Sequence, residues 1–144
     1  MNEPLLTVDG EVAQPLTLTF DDLVAVPASD QIPDVSQLDE RRSGSGVTLQ
    51  ALVSRAQPKP SATHVTLHAS SDGFAASVPL ADVIDQAILV YGLQGAPLPK
   101  DQGGPIRFLI PDAAACKTAE LDTCANVKFV DRIELSAGQG RDTR

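Results

Sequence analysis

A chain of 144 residues with a formal net charge of −8 is sized for one domain, and its field repels a phosphate backbone or an anionic membrane surface. Neither its 42% hydrophobic nor its 21% charged content suggests disorder or a coiled coil. Only 3% of the residues are aromatic and none is Trp, so the core has to come from Val, Leu, Ile and Ala, with few bulky anchors for a protein partner. No basic run points to nucleic acid, and no apolar window approaches the roughly 20 residues of a membrane span. Met1-Asn2-Glu3-Pro4 carries no export signal, so a cytoplasmic location is expected.

In chain order, Leu5 to Val8 read as a short strand closed by the Asp9-Gly10 turn, and Val12 to Leu18 as extended chain at a sheet edge around Pro15. Thr19 and Asp22 have the spacing of a capping box, with Leu18 and Leu23 as its hydrophobic staple, and the short helix they start stops before Pro27. Ala28 to Gly46 form a long, polar, irregular loop, a feature that is functional or disordered in so small a domain. Leu49, Leu52, Val53 and Ala56 recur at helical spacing behind a Thr48 cap, and Pro58-Lys59-Pro60 ends that helix. Val65 and Leu67 alternate with Thr66 and His68, and Ser71-Asp72-Gly73 turns the chain into a returning strand over Phe74 to Val78. A short helix with Leu80, Val83, Ile84 and Ala87 on one side follows, then strands at Ile88 to Tyr91 and Ile106 to Ile110. The last strand is expected at Val127 to Leu135, bent at Asp131. Residues 1–135 thus read as one domain, and the Gly-rich residues 136–144 as a flexible tail. Long crossover helices are missing, so the fold class is α+β: a mixed, mainly β sheet with a few short helices.

Several residues are candidates for binding. Gly103-Gly104-Pro105-Ile106-Arg107 combines two glycines that let backbone N–H groups approach a ligand with an arginine that offers a forked cation. Spacing alone favours the plainer reading, a tight turn with an arginine bonded to nearby carbonyls. Lys128 is either a second cation for an anion or a solvated strand lysine. Arg41 and Arg42 either close over an anionic ligand or are solvated charge.

Other residues argue against familiar chemistries. His64 and His68 share a face two strand repeats apart, too far for one zinc when each repeat spans nearly 7 Å. Seven residues separate Cys116 from Cys124, which is no zinc knuckle; they read as idle thiols, or as a small disulfide or redox pair. No Ser/His/Asp set, phosphate loop or dinucleotide fingerprint is present, so no catalytic residue is assigned.

The order of short motifs resembles the molybdopterin-binding domain of sulfite-oxidase-like oxidoreductases. The resemblance runs through Leu6-Thr7-Val8-Asp9-Gly10, Gly46-Val47-Thr48-Leu49, Ser71-Asp72-Gly73-Phe74 and Tyr91-Gly92-Leu93-Gln94-Gly95-Ala96-Pro97. It closes with Gly103-Gly104-Pro105-Ile106-Arg107 and Asn126-Val127-Lys128-Phe129. It implies molybdopterin as the cofactor. The family's Gly-Pro-x-Arg stretch falls on Gly104, Pro105 and Arg107, and its Val-Lys-Trp stretch on Val127, Lys128 and Phe129. The candidate cofactor contacts are therefore Gly103, Gly104, Arg107, Lys128 and Arg42, with no metal ligand assigned.

The family's enzymes also supply one cysteine thiolate to molybdenum, from the loop between the first helix and the Gly-Val-x-Leu segment. Here that loop, residues 28–46, contains no cysteine, and Ser36 is a harder, weaker donor. The tryptophan usual before Gly-Val is absent as well. The resemblance therefore implies a divergent member without standard molybdenum oxidase chemistry, binding a small anionic or pterin-like ligand. An oxidoreductase with altered metal ligation and a non-catalytic domain that binds a protein partner are the alternatives.

Overall fold

The computed structural model describes residues 3–38, 42–111 and 126–144. They build two sheets that share a core, an α+β architecture as expected. The first sheet has the order β2-β1-β10-β5-β6, with β1 at Pro4–Gly10, β2 at Leu16–Thr19, β5 at His64–Ala69, β6 at Phe74–Pro79 and β10 at Arg132–Ser136. β1 and β10 run parallel and the other neighbours antiparallel. The second sheet joins β3 (Gln31–Ile32), β4 (Ser45–Thr48), β7 (Ile88–Leu93) and β8 (Ala96–Pro97), with β9 (Arg107–Leu109) also paired to β7.

Period-two alternation sends Leu6, Val8, Val65, Leu67, Ile133 and Leu135 from the first sheet, and Leu89, Tyr91 and Phe108 from the second, into one buried core. The opposite face of β7 and β9 carries Ile88, Val90 and Leu109, which pack with Val35 and Leu98 in a separate small cluster. Pro15 precedes β2 at a sheet edge, as its missing N–H requires.

The helices follow their caps. Helix α1 (Phe20–Val24) starts on Thr19, whose hydroxyl accepts the Asp22 N–H at 3.1 Å while Asp22 accepts the Thr19 N–H at 2.9 Å. Replacing Thr19 with alanine is expected to cost about 1 kcal/mol, read as a lower denaturant midpoint at an unchanged slope. Helix α2 (Leu49–Ala56) starts on Thr48 and buries Leu49, Leu52, Val53 and Ala56. Helix α3 is shorter than its apolar pattern suggested, covering Leu80–Val83 only. No helix among the described residues is long and apolar enough to cross a membrane.

Three expectations change. The loop 28–46 is structured where described: it contains β3 and two helical turns, and buries Val35. Gln31 ties it down, donating its amide to the Leu23 and Val26 carbonyls at the end of α1 and accepting the Tyr91 hydroxyl at 2.9 Å. Burial pushes the Tyr91 phenol above its ordinary pKa, against the opposing hydrogen bonds of Gln31 and Ser45.

The last strand begins at Arg132, not Val127. Ahead of it, Phe129 takes φ 60° and donates its N–H to the Gly103 carbonyl, so Val127 and Val130 are buried and Phe129 is half-buried.

Residues 136–144, expected as a flexible tail, are hydrogen-bonded across β5 and along the edge of β6. Gly138 donates its N–H to Thr63 Oγ1 at 2.8 Å and Gly140 to Ser77 Oγ at 2.9 Å. Ala75 donates its N–H to Thr143 Oγ1 at 3.0 Å, and Ser77 donates its own to Asp142 Oδ2 at 3.1 Å. The Ala75 carbonyl accepts the Thr143 N–H at 2.8 Å, and the Ser77 carbonyl accepts Arg144 Nη2 at 3.2 Å. The sequence shows no apolar period here because polar bonds hold this segment.

Burial disfavours the Asp142 carboxylate, but hydrogen bonds from Arg144 and the Ser77 amide outweigh it and hold its pKa below the ordinary 3.8. A lowered folded pKa means the anchor is fully present above that ordinary value and lost as pH falls through the folded one. The Ser77 amide resonance is therefore expected to hold its position down to pH 3.8 and move below it. A shift completed above that pH would contradict the anchor.

Candidate functional site

The turn that begins at Pro99 positions the first candidates. Residues Lys100–Gln102 form one helical turn, which ends on Gly103 at φ 94°. The Gly103 N–H donates to the Lys100 carbonyl at 3.0 Å and the Gly104 N–H to the Pro99 carbonyl at 2.9 Å. Both N–H groups are thus engaged inside the turn. The glycines serve close packing. A Cβ on Gly104 would sit 1.8 Å from the Leu98 carbonyl oxygen. A Cβ on Gly103 would sit 3.0 Å from Arg107 Nη1 and 3.1 Å from Lys128 Cβ.

Gly103 therefore packs against two of the predicted cations, the Arg107 guanidinium and the stem of Lys128. Arg107 opens β9 directly opposite Val90, on the outer face of the second sheet, and is half-buried. Lys128 is exposed and reaches the site because Phe129 and Val130 donate their N–H groups to the Gly103 and Ile106 carbonyls, at 2.8 Å each. Its Nζ stands 5.3 Å from the Phe129 ring centroid, within cation–π range.

The register sets Gly46, Val90 and Arg107 in one row across β4, β7 and β9, and Arg42 lies four residues ahead of Gly46. It is half-buried, and its Nε is buried with no hydrogen-bond partner among the described residues. Arg41 and both cysteines, Cys116 and Cys124, lie outside the described residues. The chain leaves toward the cysteines from Ile110 and returns at Asn126, where the Ile110 N–H donates to Asn126 Oδ1 at 2.7 Å.

A cleft of about 460 Å³ lies beside the turn, lined by Leu98, Lys100, Gly104, Pro105, Phe129 and Asp131, with Ser71 at its rim. That is within the size range of small-molecule sites. Arg107 and Lys128 are not in its lining; Phe129 links the two places, lining the cleft while its ring meets Lys128 Nζ. Sequence reasoning missed Lys100 and Asp131. Nothing in their spacing pairs them, since residues about 30 apart meet here only through the fold.

The remaining candidates find other partners. His68 Nε2 lies 2.9 Å from Glu134 Oε1, and His64 Nδ1 lies 3.0 Å from Thr63 Oγ1. Ser36 donates its hydroxyl to Asp34 at 2.5 Å, and this bond and the one from the Ser36 N–H hold the Asp34 carboxyl below its usual pKa. Among the described residues, no group of three His, Cys, Asp or Glu side chains is arranged to hold a metal.

Comparison with known proteins gives this arrangement a family context. A model of the oxidoreductase molybdopterin binding domain matches residues 44–143. The uncharacterized oxidoreductase YuiH of Bacillus subtilis is 31% identical over 122 residues, covering 80% of this chain and 60% of that protein. Human mitochondrial sulfite oxidase is 31% identical over 65 residues, 43% of this chain and 10% of that protein. The chain thus spans about three-fifths of the first relative and a tenth of the second. The fold matches that of the sulfane dehydrogenase SoxCD from Paracoccus pantotrophus with a TM-score of 0.68 at 19% identity, over 93% of this chain and 38% of that one. The family match covers Gly103, Gly104, Arg107 and Lys128, and stops two residues short of Arg42. The chain belongs to the oxidoreductase molybdopterin-binding domain family.

Proposed function

We propose that this chain is a divergent member of its family that binds a small anionic or pterin-like ligand at Arg107, Lys128 and Arg42, without the family's standard molybdenum chemistry. The observation that carries the reading is the packing at Gly103, against which the Arg107 guanidinium and the stem of Lys128 both lie. Two cations leaving one residue suit a ligand with concentrated negative charge, and a guanidinium suits a phosphate fork. The buried Nε of Arg42, four residues ahead of Gly46, has no acceptor among the described residues and would add a further donor. A planar ligand body would lie in the neighbouring cleft against Leu98, Pro105 and Phe129.

These residues fit the anionic part of molybdopterin. They do not supply the soft ligand a molybdenum centre takes from its protein, because residues 28–46 contain no cysteine and the Ser36 hydroxyl is directed to Asp34. When bound, such a cofactor supplies the redox chemistry itself. This chain's part is to hold the anion and shelter one face of the ligand.

The test is elemental and mass analysis of the full chain purified from a host that makes the molybdenum cofactor. Bound phosphorus or pterin with molybdenum far below one atom per chain is expected. One tightly held molybdenum per chain would overturn the reading in favour of altered metal ligation.

A further inference from the structure

The cleft beside the Pro99 turn carries two charges of opposite sign that do not meet. Lys100 and Asp131 both line it, yet they form no ion pair with each other, and Lys100 forms none among the described residues. We propose that Asp131 is the specificity residue of this cleft. It selects a planar heterocycle with a cyclic guanidine edge, a ring N–H beside an amino group, as pterins and guanines carry. The inference rests on the reading that the ligand body lies in this cleft, and it assigns which edge of that body meets the protein.

Asp131 is held as a fixed acceptor. Its main-chain N–H donates to the His68 carbonyl at 2.9 Å and its carbonyl accepts the Thr7 N–H at 3.1 Å, so the backbone is pinned between β1 and β5. Its Oδ1 accepts the Ser70 N–H at 3.2 Å and the Ser70 hydroxyl at 3.0 Å. Those two bonds account for Oδ1. Oδ2 accepts none from the described residues and keeps both its lone pairs. Arg132, the next residue, is committed to Asp9 at 2.9 Å and Glu134 at 3.5 Å. Capping Ser70 thus explains one oxygen of Asp131 and leaves the other for a donor from outside the chain.

The remaining walls favour a flat ring. Leu98, Pro105 and Phe129 give apolar surface for its faces. Two parallel N–H groups on one edge suit a carboxylate, as the fork of an arginine does. A ring with a carbonyl at that place sets a lone pair against Oδ2 and gains no bond for the desolvation. Lys100 supplies a cation for a carbonyl oxygen elsewhere on the ring. The Asp131 charge also repels an anionic group, so a phosphate on the same ligand is directed toward Arg107 and Lys128, which lie outside the lining.

The test compares binding of pterin and of lumazine, the same ring system with a carbonyl in place of the amino group, to the full chain. Pterin should bind about tenfold or more tighter. Asp131→Asn should bring the two within about twofold of each other, because the amide offers a donor as well as an acceptor. Equal binding of the two rings by the intact chain, binding of neither, or a preference that survives Asp131→Asn overturns the assignment. The first comparison needs no variant, so it decides even if Asp131→Asn does not fold. Guanosine set against pterin tells the two sources of the edge apart, the tighter binder naming the ring. Inorganic phosphate is titrated separately, on the intact chain and on Arg107→Ala. No phosphate binding there removes the anion site, while a kept preference for pterin over lumazine leaves Asp131 in its role.

Discussion

Replacing Gly104 with alanine is expected to have the largest effect of any single methyl group added to this chain. The new Cβ would stand 1.8 Å from the Leu98 carbonyl oxygen, 2.5 Å from its carbon and 2.8 Å from the Pro99 carbonyl oxygen. All three are backbone atoms, so no side chain can rotate out of the way. Relief requires the strand end at Leu98 to move away from the turn. That would break the Gly104 N–H bond to Pro99 and disturb the buried Leu98. Overpacking alone costs about 1–3 kcal/mol, and a lost buried hydrogen bond adds about as much again. The total, roughly 4 kcal/mol, is a large share of the ~5–15 kcal/mol that holds a domain together. A drop of that size in unfolding free energy should be seen by denaturant titration, with Gly95→Ala as a control. No atom lies within 4 Å of a Cβ at Gly95, but its φ of 80° still penalises a side chain, so a smaller loss is expected there. Equal losses at both positions would show that the close approach at Gly104 is not the cause.

The second large effect concerns ligand retention. Arg107→Ala is expected to lower the occupancy of a bound pterin or phosphate by roughly tenfold to a hundredfold, the equivalent of about 1.5–3 kcal/mol for hydrogen bonds to a charged group. Lys128→Ala is expected near the lower end, because Lys128 is exposed and solvent screens its charge more than that of half-buried Arg107. The measurement is phosphorus and pterin content per folded chain after purification from a cofactor-producing host. Thermal midpoints must be compared alongside, since the Arg107 stem packs on Gly103 and its removal also affects the turn. Unchanged content in both variants, with the fold intact, would remove these cations from the site.

Both experiments probe features that differ in how visible they are in the sequence. The helix at Thr19 is visible because a cap depends on residues three apart, and the Thr19–Asp22 pair forms as spaced. The hairpin of β5 and β6 is visible for the same reason, since alternation and a Ser-Asp-Gly turn are local signals. The packing of Arg107 and Lys128 at Gly103 was legible in part. The family pattern named Arg107 and Lys128, but it suggested glycine N–H groups as ligand donors, and the fold uses those groups within its own turn.

What the sequence by itself determined is the fold class, the helix caps, the β5–β6 hairpin and the family. Each of these is written in short-range patterns of side-chain size, polarity and turn chemistry. The tertiary structure decided the rest. It started the last strand late, at Arg132 and not Val127, because the Phe129 N–H meets a carbonyl 26 residues earlier in the chain, at Gly103. It bound the Gly-rich segment to β6, because an open strand edge offers polar groups that a polar segment can satisfy. It also packed Arg107 and the stem of Lys128 against one glycine. Such outcomes depend on which distant backbone groups remain unpaired once the sheets close, and no local pattern of residues encodes that.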